Sequence, residues 1–196
     1  MATQTALKDA VIHDHNEMYQ YYDQYQQSKG NVDAQARWAR QLTWEIARHA
    51  VGEEIVVYPL MEKHLGQKGV QLADEDRADH QTVKELLARL ETLTPGTSEY
   101  DDTLSGAMAD LRKHNESEEQ NDLPLLEEKL SMGDSQQAAT LFTRTNKFVP
   151  TRAHPMAPNK PPYETLVGFM AAPIDKLKDY FASFPTEEMK KDAGIH

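Results

Sequence analysis

Two segments of the chain repeat one arrangement of residues that could bind a metal. The first is HAVGEEIVVYP, residues 49–59, and the second is HNESEEQNDLP, residues 114–124. Both begin with His, carry Glu-Glu at the fifth and sixth positions and end with Pro, whereas the residues between these positions differ. A His and a Glu four positions apart lie on one face of an α-helix, one turn from each other. Each segment therefore predicts an imidazole and a carboxylate that reach a common point.

Metal binding is the chemistry that this pairing favours. A single His-x-x-x-Glu pair is an ordinary polar pair on a helix surface, but here it occurs twice, as His49 with Glu53 and as His114 with Glu118. If both pairs face the interior, they need compensation of the order of several kcal/mol per unpaired ion, which a divalent or trivalent cation supplies. Carboxylates can bridge two cations, and imidazoles suit Fe, Zn, Cu or Ni.

The second Glu and the Pro of each segment have other expected roles. Glu54 and Glu119 lie about 100° further round the helix, so we interpret them as solvated charges or as groups outside the ligand set. Pro59 and Pro124 remove a backbone donor and disfavour helix at the preceding residue. We expect a kink or local unwinding just beyond each His-Glu turn, and no chemical role for the prolines.

Composition excludes several functional classes. The chain has no cysteine, which excludes thiolate chemistry, disulfides, zinc fingers and Fe–S clusters. Its net charge of -11 repels phosphate backbones and anionic lipid, so we expect neither nucleic acid nor a membrane as a partner. No apolar stretch approaches the length of about 18 residues that a membrane span needs. We find no signal peptide in the N-terminal stretch and expect a cytoplasmic protein.

Helical periodicity positions the repeated segments. Apolar residues recur every three to four positions up to about residue 147, with breaks at Gly30, at Gly66 and Gly69, and at Pro95-Gly96. The predicted helices are 5–28, 33–64, 74–93 and 98–131. Four helices with short connections favour an all-α fold, an up-down-up-down four-helix bundle, which we expect over residues 1–133.

A C-terminal extension, residues 134–196, is expected to pack on the bundle. It begins with a predicted short helix, 135–147. The segment VPTRAHPMAPNKPP, residues 149–162, holds five prolines and cannot be regular helix. A last helix, 163–182, is expected to be kinked or broken at Pro173, and the final residues are expected to fray.

Two further histidines complete a recognisable order of residues. His15 and His80 lie on the first and third predicted helices. The full set, over about residues 5–131, resembles the hemerythrin-like, or HHE cation-binding, domain: His15, His49-x-x-x-Glu53, His80 and His114-x-x-x-Glu118. The resemblance implies a four-helix bundle that holds two iron ions as an oxo- or hydroxo-bridged di-iron centre. It also implies that the four histidines are terminal ligands and that Glu53 and Glu118 bridge the ions.

The third predicted helix departs from the pattern of the oxygen-carrying hemerythrins. Those proteins place two His four residues apart there, whereas this chain has His80 and then Lys84. Water, or His154 from the proline-rich segment folded over the open end of the bundle, could replace the missing ligand. The alternative for His154 is a surface loop that packs on the bundle. His13 is expected to point about 200° away from His15 and to stay outside the site.

Two functions remain open from the sequence. The resemblance implies a di-iron protein that binds or reacts with O2, peroxide or nitric oxide, and Lys84 in place of His predicts redox turnover, such as peroxide consumption, rather than reversible carriage. The alternative is an iron-binding sensor or storage protein without turnover, in which the C-terminal segment transmits metal occupancy. A metal-free helical interaction module would leave the repeated His-x-x-x-Glu unexplained. The oligomeric state is left open.

Overall fold

Helices form all the regular secondary structure in the described part of this computed structural model, which comprises residues 5–157, 159–160, 163–180 and 182–195. A π-helical turn, Glu118–Asp122, separates the fourth helix from the fifth. The α-helices, in chain order, are α1 (Leu7–Gln27), α2 (Val32–Leu65), α3 (Gln67–Leu90), α4 (Ser98–Ser117), α5 (Leu123–Glu127), α6 (Met132–Thr145), α7 (Tyr163–Tyr180) and α8 (Glu187–Asp192). The predicted all-α class is confirmed for these residues.

The first four helices pack against one another in sequence order. Contacts join α1 to α2, α2 to α3 and α3 to α4. Each of these helices buries an apolar stripe, because a polar helix of this length gains little stability in isolation. Helix α6 then lies against both α1 and α2. The result is a helical bundle with an additional helix on one side.

The connection between α2 and α3 differs from the prediction. Helix α3 begins at Gln67 rather than near residue 74. Gly66 does turn the chain, with a φ of +59° that favours glycine. Gly69 instead lies inside α3, where a Cβ would come within 1.9 Å of the Met61 carbonyl oxygen. The prediction of a break at Gly69 was wrong, because this glycine permits close packing between two helix ends.

The two prolines of the repeated segments lie in different backbones. Pro59 lies inside α2, which continues as α-helix to Leu65. On the other segment the α-helix ends at Ser117, the π-helical turn follows, and Pro124 lies in the first turn of α5. A single helix over 98–131 was therefore a wrong prediction. A π-helical turn inserts an extra residue per turn, which shifts the side chains that follow it.

The C-terminal extension is more ordered than expected at two places. Pro173 lies within α7, which is continuous from Tyr163 to Tyr180, so the helix is not broken there, and the kink expected as the alternative stays a prediction. The tail expected to fray contains α8, whose start is capped by the Thr186 hydroxyl accepting from the Met189 N–H.

The described part of the proline-rich segment contains no regular helix. It is tied to α7, because the Thr151 N–H donates to Asp175 and the Arg152 guanidinium donates to Asp179. Within the described ranges, no helix is both long enough and apolar enough to span a membrane.

Candidate metal centre

Six of the predicted ligands meet in one buried layer of the bundle. None of them exposes more than 2% of its surface, and they come from α1, α2, α3, α4 and the π-helical turn: His15, His49, Glu53, His80, His114 and Glu118. Burial of so many ionisable groups is costly unless they are paired or bind a metal. The layer is therefore the leading candidate for a functional site.

Apolar residues enclose this layer on both sides. One core cluster contains Met18, Ile46, Val83 and Leu111, and the other contains Val11, Val57, Ala73 and Leu123. On α1, α2 and α3 the polar layer falls between a residue of one cluster and a residue of the other, and in the fourth segment it falls between Leu111 of α4 and Leu123 of α5. The ionisable groups are thus held at a fixed depth between two close-packed apolar regions.

Glu53 lies between two pairs of imidazoles. Its Oε1 is 3.1 Å from His49 Nε2 and 4.0 Å from His15 Nε2, and its Oε2 is 3.3 Å from His80 Nε2. The ligand atoms of His15, His49 and Glu53 lie within 4.8 Å of one another, and so do those of Glu53, His80 and His114. Each group could hold a metal ion, and Glu53 belongs to both.

Glu118 also faces one imidazole from each group. Its Oε2 is 3.8 Å from His15 Nε2 and 3.5 Å from His114 Nε2. The imidazoles within each group are close, since His15 Nε2 and His49 Nε2 are 3.0 Å apart and the His80 and His114 ring centroids are 4.6 Å apart. Two carboxylates therefore lie between two pairs of histidines.

The imidazoles of α1 and α2 each face a carboxylate with their other nitrogen. His15 Nδ1 is 2.7 Å from Glu119 Oε1, and His49 Nδ1 is 3.4 Å from Asp14 Oδ2. A carboxylate on this nitrogen fixes the tautomer and orientation of a metal-binding imidazole and makes it a better donor. Glu119, which is partly exposed, thus contacts a candidate ligand from outside the layer.

The imidazoles of α3 and α4 repeat this arrangement. His80 Nδ1 is 3.2 Å from Glu54 Oε1, and His114 Nδ1 is 3.7 Å from Asp79 Oδ2. Glu54 is fully buried, so of its two expected roles it has that of a group outside the ligand set rather than that of a solvated charge. The Lys84 ammonium donates to both of its oxygens, at 2.6 and 2.7 Å. Lys84 therefore forms a buried ion pair at the position where the oxygen-carrying hemerythrins have their second histidine of this helix.

The contacts of the layer repeat with a shift of 65 residues. Asp14 faces His49 as Asp79 faces His114, and His15 faces Glu119 as His80 faces Glu54. Sequence reasoning identified the repeat of His-x-x-x-Glu-Glu but missed the aspartates. The Asp-His dipeptides at 14–15 and 79–80 have the same 65-residue spacing and could have revealed them.

Unpaired polar atoms test whether the layer suits metal. Among the described residues, both carboxylate oxygens of Glu53, both of Glu118 and both ring nitrogens of His114 lack a hydrogen-bond partner. A buried polar atom without a partner costs about 1–3 kcal/mol, and a cation between the two carboxylates would satisfy several at once. Imidazole and carboxylate ligands without thiolate suit first-row transition metals. The residues present fit a pair of such ions.

Protonation is uneven across the layer. Burial opposes the ionisation of Glu53, but His49 and then His80 hold the pKa of Glu53 well below its ordinary value. Burial, followed by the negative charges of Glu53 and Asp76, raises the pKa of Glu118 well above its ordinary value. The two carboxylates therefore differ in the metal-free protein, with Glu53 ionised and Glu118 protonated.

The histidines differ in the same way. Burial opposes the charged form of His49, but Glu53 and then Asp14 raise its pKa to about 10. Burial lowers the pKa of His114 to about 4, even though Asp79 acts in the opposite direction. Since ligands bind metal in their deprotonated forms, a metal would displace protons from His49 and Glu118.

One tyrosine reaches the layer. The hydroxyl of Tyr58, a fully buried residue of α2, is 3.1 Å from His80 Nε2. Burial, followed by the charges of Glu118 and Glu53, raises the pKa of Tyr58 well above 10. The phenol thus stays protonated and can donate a hydrogen bond into the layer.

His154 and His13 lie outside the layer. His154 belongs to neither His/Glu group found among the described residues; its Nε2 is 2.8 Å from Asp175 Oδ2, and its side chain is 38% exposed. The structure gives His154 a partner on α7, because the proline-rich segment is tied to α7, and its contact with a metal stays a prediction. His13 is exposed and close to Glu17, as expected for a residue pointing away from His15.

Comparison with known proteins identifies relatives of the chain. The model of the hemerythrin HHE cation-binding domain matches residues 7–126. An uncharacterized hemerythrin-like protein of Schizosaccharomyces pombe is 47% identical over 181 residues, which cover 92% of this chain and 89% of that protein. A protein of Nostoc sp. named DNA nickase is 23% identical over 146 residues, which cover 74% of this chain but only 40% of that protein. No solved structure matches the chain significantly.

Proposed function

The chain belongs to the hemerythrin HHE cation-binding family, and on that premise we propose that its buried layer binds two iron ions that react with O2, peroxide or nitric oxide. The observation that carries the proposal is the position of Glu53. It belongs to two groups of potential metal ligands at once, and neither of its buried oxygens has a hydrogen-bond partner among the described residues.

Each ion would be held by one pair of imidazoles. His15 and His49 would bind one ion, His80 and His114 would bind the other, and Glu53 and Glu118 would be shared between them. The alternation of the two apolar clusters along α1, α2, α3 and the segment from α4 to α5 supports an up-down-up-down order, which brings these ligands to one depth. In this proposal His154 is not a ligand.

Reaction with a small molecule would use chemistry that the ions supply. A pair of iron ions with open coordination positions binds small oxygen or nitrogen ligands and exchanges electrons with them. The chain contributes the protonated hydroxyl of Tyr58, which can donate a hydrogen bond at the His80 side. The apolar clusters on either side restrict the access of water.

Lys84 supports turnover over reversible carriage. Its position on α3 supplies an ammonium group to Glu54 instead of an imidazole to the ions. One protein ligand fewer leaves an additional coordination position for an exogenous molecule. We therefore propose peroxide consumption as the reaction to test first.

Mixing experiments on the iron-loaded protein test this function. The protein is loaded with ferrous iron under anaerobic conditions, then mixed separately with peroxide, O2 and a nitric oxide donor, and followed by absorption and by peroxide consumption. We expect repeated peroxide consumption by disproportionation, in which one peroxide is reduced to water and a second is oxidised to O2. Turnover would be contradicted if the protein bound O2 reversibly and the peroxide concentration did not fall. The E53A variant is the control, because iron free in solution also decomposes peroxide.

A sensor or storage function is the second candidate. The observation that favours it is the contact between the site and the C-terminal part of the chain, since the Phe142 ring of α6 packs against His49 with centroids 5.6 Å apart. A sensor predicts that iron changes the rate of proteolysis within residues 148–196. An identical digestion pattern with and without iron would count against it.

A further inference from the structure

We propose that α6 completes the metal centre, with Asn146 at its C-terminal end as the residue that positions His49. This helix lies beyond residues 7–126, the part that the family model matches. The inference rests on the proposed function, because it concerns one of the two proposed ions. It assigns a role in metal binding to the C-terminal extension.

A chain of polar contacts leads from Asn146 to the layer. Asn146 Nδ2 donates to Asp14 Oδ2 at 3.0 Å, and the same oxygen is 3.4 Å from His49 Nδ1. The Phe142 and His49 rings pack in a T-shaped arrangement, with an interplanar angle of 89°. Helix α6 therefore contacts His49 directly through Phe142 and indirectly through Asp14.

Asp14 needs this support because its neighbours repel it. Carboxylate oxygens of Asp14, Glu17 and Glu45 lie within 4.8 Å of one another. Carboxylates at this distance repel one another when they are ionised, which favours rotation of the Asp14 side chain away from the cluster, and that side chain is 16% exposed. The Asn146 amide holds Asp14 Oδ2 towards His49. Without it, His49 Nδ1 would lose the acceptor that fixes its orientation.

The backbone of α2 is shaped to admit α6. At Gly52, one residue before Glu53, a Cβ would lie 2.0 Å from Asn146 Oδ1 and 3.1 Å from Phe142 Cε2. Arg48 adds a hydrogen bond from its Nε to the Asn146 carbonyl oxygen at 2.7 Å. Glycine at this position and Arg48 one turn earlier thus let the end of α6 approach the ligand-bearing turn of α2.

The release of metal to a chelator tests this role. Full-length parent, N146A and N146D are loaded with ferrous iron, with zinc as a redox-inactive comparison, and mixed with excess chelator. N146D keeps the shape of the side chain but replaces the donor by an acceptor, and T143A, an exposed substitution on α6, is the matched control. We expect one of the two ions to leave about tenfold faster from both Asn146 variants, the lower end of the effect of removing an outer hydrogen-bond partner.

A second substitution moves α6 without removing the amide. In G52A the new methyl group displaces Asn146 and Phe142, so we expect the same selective acceleration for one ion. The melting temperatures of the metal-free variants show whether they remain folded. A role limited to packing would lower these temperatures and affect both ions equally.

The outcomes separate this inference from the proposed function. If the parent holds two ions and N146D releases both as slowly as the parent, the positioning role of Asn146 is overturned while the di-iron proposal stands. Faster release from N146D but not from N146A would also overturn it, because the effect would come from the added charge. If the parent takes up neither iron nor zinc, the proposed function fails and this inference fails with it.

Discussion

The two halves of the bundle, α1–α2 and α3–α4 with its π-helical turn, carry the same ionisable residues at the same spacing but surround them differently. In the first half, α6 covers the site and Asp14 is 16% exposed; in the second half the matching Asp79 is 60% exposed. The backbone differs too, since α2 continues through its proline and α4 gives way to a π-helical turn. The spacing of the residues along the helices therefore determines which metal ligands can meet. The helices that surround them determine how exposed these residues and their partners are.

The clearest difference is between Glu53 and Glu118. Both are fully buried and occupy the same position in the repeat. Glu53 is flanked by His49 and His80, which favour its charged form, whereas Glu118 lies near the charges of Glu53 and Asp76, which disfavour it. One half of the bundle thus supplies a carboxylate and the other half a carboxylic acid until metal binds.

Substitution of these two residues by glutamine should have unequal effects on the metal-free protein. We expect E53Q to lower the free energy of unfolding by about 4 to 5 kcal/mol, because it breaks a buried charge pair with His49 and His80. E118Q resembles the protonated acid and needs no proton uptake on folding, so we expect its free energy of unfolding at pH 7 to equal or exceed that of the parent. Urea unfolding at pH 7 measures both values, and equal losses would contradict the assigned protonation states.

The second glutamates of the repeat should differ in the same way. Glu54 is fully buried between Lys84 and His80, whereas Glu119 faces His15 and is 30% exposed. We expect E54Q to destabilise the metal-free protein by about 3 to 4 kcal/mol, because Lys84 is left as a buried charge without its anion. We expect E119Q to cost about 1 kcal/mol, since solvent screens this pair. The interpretation would be contradicted if urea unfolding showed a larger decrease in the free energy of unfolding for E119Q than for E54Q.

A third pair of positions, Glu45 and Asp110, predicts a difference in how the stability of the two halves depends on pH. Glu45 is buried and Asp110, 65 residues later, is exposed. Burial, which outweighs the opposing charge of Arg48, raises the pKa of Glu45 from 4.5 to about 7, and the charges of Asp14 and Glu17 add to this rise. The folded state therefore binds this proton more tightly than the unfolded chain. The parent loses stability from this group as the pH rises from about 4.5 to about 7, and the loss is constant above that range.

Glutamine stays uncharged at every pH, so E45Q does not lose stability as the pH rises. The difference in free energy of unfolding between E45Q and the parent should therefore grow across this pH range. We expect it to reach roughly 2 to 3 kcal/mol at pH 8 and to vanish near pH 4, since one pKa unit corresponds to about 1.4 kcal/mol. Thermal or urea unfolding of the metal-free proteins between pH 4 and pH 8 measures this difference. D110N should show no such dependence, and a parallel trend in both variants would refute the role of burial at Glu45.

Much of the site could be predicted from sequence because its pattern is local. The His-x-x-x-Glu pairs lie on single helices, so their spacing alone indicated two of the four histidines and both candidate bridging glutamates, and the order of residues added His15 and His80. The partners of the imidazoles were not predictable in this way, because each depends on packing between helices. The contacts of Asp14 with His49 and of Glu119 with His15 join residues on different helices.

The missed features of the fold have the same physical origin. The π-helical turn at 118–122 follows no periodicity that the sequence displays, and the early start of α3 depends on the close approach of Gly69 to Met61. The helix α7 was predicted, but the contact of His154 with Asp175 joins two segments of the extension and follows no pattern in the sequence. The division into residues 1–133 and 134–196 remains a prediction, and the contacts of α6 with His49 and Asp14 show that the two parts share contacts at the site.

The metal content of freshly purified protein tests the central claim most directly, when parent, E53A and the exposed-site control H13A are measured together by elemental analysis. If Glu53 is shared between two ions, the parent and H13A should contain about two irons per chain, and E53A should lose both. A parent without iron or another transition metal, or an E53A variant that keeps two ions, would contradict the account.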